Sequence, residues 1–95
     1  MKIFSQIKGF EWDEGNINKI WEKHKVTHVE CGEIFFKEPL IVQQDTTHSI
    51  FEERYFALGK TDKDRLLFII FTIRGDKIRV ISARDMNKKE RRCYQ

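Results

Sequence analysis

The chain has 95 residues, 40% of them hydrophobic and 35% charged, with a formal net charge of +3. That is enough for one domain over residues 1–95 with a modest core, and no apolar run approaches the ~18 residues of a membrane-spanning helix. The opening MKIFSQIKGF has no long apolar stretch, so no signal peptide is expected, and the widely spaced Cys31 and Cys93 fit no metal-ligand pattern and point to a reducing cytoplasm.

In chain order, GFEW (9–12) reads as a short extended piece for a sheet edge. WDEGNINKIWEKHK follows as a helix with Asp13 as N-cap, and Ile17, Ile20, Trp21 and His24 recur on one helical face. A second helix starts at Thr27. Glu30 completes a capping box, Val26 and Cys31 form a hydrophobic staple, and Val29, Ile34, Phe35 and Phe36 supply the buried side. Pro39 ends that helix by about residue 37, because the residue before a proline is pushed out of the helical region. LIVQQDTTHS (40–49) lacks strong periodicity and reads as a loop.

IFEERYFALG (50–59) is aromatic and β-branched enough for a strand, KTDKD (60–64) is a turn, and RLLFIIFTI (65–73) reads as a strand buried on both faces. RGDK (74–77) is a tight turn, IRVISAR (78–84) a third long strand, and DMNKKERRCYQ a helix starting at Asp85 or Asn87. The order β-α-α-β-β-β-α gives an α+β domain with helices packed on an antiparallel meander.

Charge is unevenly distributed. Residues 1–59 carry seven Lys/Arg against ten Asp/Glu, whereas residues 60–95 carry eleven against five. A basic C-terminal third suits an anionic partner, most commonly nucleic acid; charge of this size also serves solubility alone.

Several residues could carry chemistry. Glu52 and Arg54, two residues apart in the first long strand, share a face and project together, as an acid–base pair or a plain surface ion pair. Arg84 ends its strand, where a guanidinium offers fixed donors to a phosphate; the structural alternative is a bridge to Asp85 or a helix cap. His24 can move a proton near neutral pH, or simply pack. Lys88, Lys89, Arg91 and Arg92 form either a solvated helix face or an RNA-contacting patch. Strict alternation puts Arg79 and Arg84 on opposite faces unless a bulge intervenes. There is no Gly-rich phosphate loop, HExxH or CxxC, and His28 and His48 make no recognisable metal site with His24.

FEWD (10–13), KH (23–24) followed by Val26, ExRY (52–55) with Gly59 after it, and IRVISAR (78–84) with ER (90–91) and Tyr94 fall in one order. In this the chain resembles the BrnT family, toxins of bacterial type II toxin–antitoxin systems, over roughly residues 9–94. The resemblance implies a RelE-like fold, a ribonuclease activity that stops translation, no cofactor, and a cognate BrnA-type antitoxin. It also implies that operator DNA is reached only through that antitoxin, for repression of the operon. The family's polar positions fall on Lys23, His24, Glu52, Arg54, Arg79, Arg84 and Tyr94. Two positions depart from the family pattern: Lys25 stands where glycine is usual, and Ile20 where asparagine is frequent.

Under that resemblance Arg54, Arg79 and Arg84 are cast as phosphate clamps, since arginine stays protonated. Glu52 or His24 is the base, and Tyr94 or His24 the acid. The aromatics of FEWD and RYF are expected to receive the antitoxin's apolar anchors. The alternative to an enzyme is a module that grips nucleic acid, or pairs with an antitoxin, without cleaving.

Overall fold

The computed structural model describes residues 4–47 and 51–95. Strand β1 (Gly9–Phe10) leads to helix α1 (Glu14–His24) and helix α2 (His28–Glu33), which continues as a 3₁₀ turn over Ile34–Phe36. Strands β2 (Ile41–Asp45), β3 (Arg54–Lys60), β4 (Leu66–Arg74) and β5 (Lys77–Asp85) follow, and helix α3 (Lys88–Tyr94) closes the chain. The sheet order is β1-β5-β4-β3-β2, antiparallel except for β1 alongside β5. This is the expected α+β architecture with one strand more.

The helix starts follow their sequence signals. The Asp13 side chain accepts from the Asn16 N–H at 2.7 Å. In α2 the Glu30 N–H donates to Thr27 Oγ1 at 3.1 Å, and the Thr27 N–H to Glu30 Oε1 at 2.9 Å, a complete capping box. Asn87 and Glu90 build a second one on α3. Helix α1 ends in a left-handed residue, Lys25, at φ 56° and ψ 42°. A side chain is strained there, which explains why glycine suits the position. Lys25→Gly is therefore expected to stabilise the fold by about 1 kcal/mol, raising Tm by roughly 4–8 °C. A calorimetric scan showing an unchanged or lower Tm would count against strain at this turn.

The core lies between the helices and one face of the sheet. Ile20, Val26, Cys31 and Ile34 meet Ala57, Leu67, Ile69, Phe71, Ile78, Val80 and Ala83, all buried. Gly59 belongs to the same layer: a Cβ there would come within 2.9 Å of Ile34 Cβ, so the 3₁₀ turn packs directly on the β3 backbone. On the opposite face α3 covers only one end of the sheet, where Leu58, Met86 and Tyr94 form a second cluster with Ile41, Leu66 and Phe68. The apolar run of β4 is thus apolar for two cores at once.

Four expectations are corrected. Residues 41–45 form an edge strand instead of a loop; five cross-strand pairs, from Ile41↔Leu58 to Asp45↔Arg54, override their weak local pattern. β3 begins only at Arg54, so Glu52 precedes the strand and forms no strand-borne pair with Arg54. The buried residues of α1 are Asn16 and Ile20, while Trp21 is 46% exposed with the Lys25 ammonium over its ring. Val29 and Phe36 are also exposed, leaving Ile34 and half-buried Phe35 to face the core. The expectations touching residues 1–3 and 48–50, including His48, lie outside the described residues.

Candidate functional site

The register of β5 against β4 shifts at its middle. Ile70 pairs with Ser82 but Phe71 pairs with Val80, so Ile81 is an extra residue, a β-bulge. One inserted residue exchanges the faces of everything beyond it. Arg79, opposite Thr72, and Arg84, opposite Phe68, therefore share the face away from α1 and α2.

Three cross-strand rows run over that face: Arg54–Thr72–Arg79, Phe56–Ile70–Ser82, and Leu58–Phe68–Arg84. The two arginine-bearing rows stand four strand residues apart, roughly 13 Å. That spacing suits two phosphates of an extended polyanion better than a single one. Asn16 fastens α1 beside the bulge, its Nδ2 donating to the Val80 carbonyl at 2.9 Å.

The outer row is an ion-pair lattice. Arg79 donates to Glu11 at 3.3 Å and to Asp13 at 2.9 Å, and Arg74 pairs with Glu11 at 3.2 Å and Glu52 at 3.6 Å. The Asn16 N–H first, and then the Arg79 guanidinium, hold the Asp13 carboxyl below its usual range. Glu52 thus faces Arg74, a partner the sequence reading did not consider.

Arg84 sits over Phe68, its guanidinium carbon 4.2 Å from the ring centre. It is held by a two-pronged contact to Glu90, at 2.8 and 2.9 Å, and donates to the Asp85 carbonyl at 3.1 Å. The Arg84 contact pulls the Glu90 carboxyl below its usual range. The guanidinium plane is therefore fixed before any ligand arrives.

His24 ends α1 and lines a cleft of about 80 Å³ with Lys19, Lys23, Ile81 and Ser82, at the β5 edge where the bulge opens it. Lys23 is exposed, as are Lys88, Lys89, Arg91 and Arg92 on α3; the Arg91 guanidinium also donates back to the Met86 carbonyl at 2.8 Å. Tyr94 is set apart from these groups. It is buried, its hydroxyl donates to the Pro39 carbonyl at 2.6 Å, and burial, with Asp64 adding to it, pushes its pKa up. Its one proton is committed to closing α3 onto the entry to β2. Both cysteines are free, Cys31 buried and Cys93 exposed. Among the described residues no three His, Cys, Asp or Glu side chains gather as a metal site.

Arg65 went unrecognised in the sequence. It donates to Asp85 at 2.7 and 3.1 Å, to both Glu30 oxygens at 3.3 Å, and to the Lys25 and His24 carbonyls at 2.8 and 3.3 Å. One guanidinium thereby ties the end of α1, the capping box of α2 and the end of β5 together, and so positions His24. Its partners lie 20 to 41 residues away in sequence, so no local pattern marks it.

No curated protein matches the chain. Residues 12–90 match the family described as the ribonuclease toxin BrnT of type II toxin–antitoxin systems. The matched span holds the KH pair, the ExRY motif, the bulged β5 and the capping box of α3, and leaves out Arg91, Arg92 and Tyr94 among the candidate site residues. With most of its length and its basic sheet face inside that match, the chain belongs to the BrnT family of ribonuclease toxins of type II toxin–antitoxin systems.

Proposed function

We propose that this chain is a metal-independent endoribonuclease whose working surface is the face of the sheet carrying Arg54, Arg79, Arg84 and Ser82. The observation that carries the reading is the bulge at Ile81, which gives Arg79 and Arg84 one face beside the basic helix α3. RNA supplies its own nucleophile, the 2′-hydroxyl, so the protein needs to move protons and stabilise charge.

In this reading His24, beside Ser82, takes the 2′-hydroxyl proton, and O2′ attacks the adjacent phosphorus. Arg84 steadies the pentacoordinate phosphate. The P–O5′ bond then breaks, the 5′-oxygen takes a proton from solvent, and a 2′,3′-cyclic phosphate remains. Arg54 and Arg79 hold a neighbouring phosphate, with Lys23, Lys88, Lys89, Arg91 and Arg92 around it. Glu52, paired with Arg74, is given an orienting role in the arginine row. Tyr94, whose hydroxyl donates to the Pro39 carbonyl, is given a structural role.

The test is a DNA oligonucleotide containing a single ribose. Cleavage is expected only at the phosphate 3′ to that ribose. Equal cutting of the all-DNA strand would refute 2′-hydroxyl attack, and binding without cutting would favour a non-catalytic nucleic-acid module.

We infer that translation is the process inhibited, that the chain acts in the cytoplasm, and that a BrnA-type antitoxin silences it by covering this basic face. The toxin–antitoxin pair then represses its operon through the antitoxin's contact with operator DNA. Acidic side chains and apolar anchors are expected in the covering segment, since charge steers association and buried apolar groups sustain it. Among the aromatics of FEWD and RYF, Phe10, Trp12 and Tyr55 are partly buried against the core and Phe56 lines an open groove; Phe36, outside those motifs, is 81% exposed and offers a further seat. Mixing the chain with its operon neighbour should give a complex that no longer cleaves RNA. A tight complex of unchanged activity would contradict masking.

A further inference from the structure

The phosphate chemistry above leaves one feature of the same face unused. Between α3 and the sheet runs a groove of about 500 Å³, floored by Phe56 and Phe68 and bordered by Gln43, Asn87, Lys89 and Cys93. The two phenyl rings lie 5.7 Å apart and nearly parallel, at 24°. Gln43 is the direct cross-strand neighbour of Phe56, so its amide stands beside that ring on the same face. Arg84 already covers Phe68 from one side. Gripping a sugar–phosphate backbone requires none of this apolar surface.

We propose that the groove is a nucleobase subsite: an unpaired base of the RNA stacks on Phe56, and the Gln43 amide reads its edge. The proposal rests on the ribonuclease reading and adds to it where sequence preference arises. Unstacked bases are recognised by aromatic rings and arginine planes, with amides offering both a donor and an acceptor to the base edge. An apolar peptide would fill the groove as well. However, Lys89 stands on the rim, and the rim's one carboxylate, Glu90, is neutralised by Arg84 just beyond it, so a base with a flanking phosphate satisfies floor and rim together.

Cys93 provides a direct readout. It is exposed on the groove wall, while Cys31 is buried, its thiol pushed by burial up to about 12. A thiol-alkylating reagent on the intact chain therefore reports Cys93 alone. The probe is a single-stranded 2′-O-methyl oligonucleotide, which carries bases but no free 2′-hydroxyl, against an abasic strand of equal length and charge. The base-bearing strand is expected to slow Cys93 alkylation about tenfold or more, and the abasic strand far less. Phe56→Leu, which keeps apolar bulk but loses the ring, is expected to weaken the oligonucleotide's binding by about tenfold.

Gln43→Ala lies on an exposed edge strand, so it tests the same point without burdening the fold. It should change which base protects Cys93 best. Equal protection by both strands, no protection, or an unaltered base order in Gln43→Ala would overturn the subsite. So would protection by an acidic apolar peptide that no oligonucleotide matches. Cleavage of unmodified RNA followed in parallel separates the two claims: cleavage without base-dependent protection rejects the groove alone, and loss of both rejects the ribonuclease reading too.

Discussion

Arg84→Ala is expected to lower RNA cleavage by about 10²-fold or more, the usual cost of losing a preorganised charge at a developing oxyanion. The expectation rests on fixed geometry. Glu90 grips the guanidinium from one side and Phe68 supports its plane, so little reorganisation is needed when a phosphate arrives. Arg84→Lys should also fail, because an ammonium cannot reproduce a planar fork that lies on a ring and bonds in two directions. The fold should survive either change. The Arg84–Glu90 pair is partly exposed, and such pairs contribute about 1 kcal/mol or less. Cleavage rates measured beside a thermal melt distinguish the cases. A well-folded Arg84→Ala chain cutting at near-wild-type rate would remove Arg84 from the mechanism.

Arg65→Ala is expected to cost about 2 kcal/mol, in the range of hydrogen bonds to charged groups, and to lower Tm by roughly 10 °C. Two carboxylates and two helix-end carbonyls lose their shared donor. The change should also alter the pH dependence of stability. Burial pushes the Glu30 carboxyl up, but the Thr27 N–H and the Arg65 guanidinium outweigh it and hold it below its usual 4.5. Arg65 likewise holds Asp85 below 3.8, with burial opposing.

A carboxyl depressed in the folded state stabilises fully above its unfolded value and loses that contribution as pH falls through the folded one. Wild type should therefore lose stability on acidification from about pH 4.5 downward, and the variant should lose less. Asp85 is largely exposed, so most of the difference should come from Glu30. Denaturant midpoints across pH 2–7 check this; parallel curves for the two proteins would mean that the Arg65 contacts carry no stability. Because Arg65 also holds the carbonyl of His24, its loss should slow cleavage as well.

What the sequence revealed divides along a physical line. Local hydrogen-bond chemistry was legible: Asp13, Thr27 with Glu30, and Asn87 each announced a helix start, and the long apolar strands announced the meander. Features set by distant partners were not. Ile41 and Val42 become a strand because β3 offers an unpaired edge. Trp21, Val29 and Phe36 are apolar yet outward-facing, and periodicity alone could not assign them to solvent.

The proposed site was partly legible. Arg84 and His24 stand in motifs that single them out as candidates, but the common face of Arg79 and Arg84 depends on a bulge that alternation cannot foresee. Lys25 was visible as a departure from a glycine position, and the left-handed backbone supplies the reason. Tyr94 could be placed only by the fold: its ring packs with Leu58 and Met86 and its hydroxyl donates to the Pro39 carbonyl, contacts that no local pattern announces.

The central claim is that the exposed sheet face cleaves RNA by 2′-hydroxyl attack without a metal. Its most direct measurement is digestion of total RNA by the purified chain in EDTA, with analysis of the new ends. Cleavage leaving 2′,3′-cyclic phosphates and 5′-hydroxyls is the predicted result. Intact RNA, a requirement for added metal, or ends bearing 3′-hydroxyls and 5′-phosphates would contradict it.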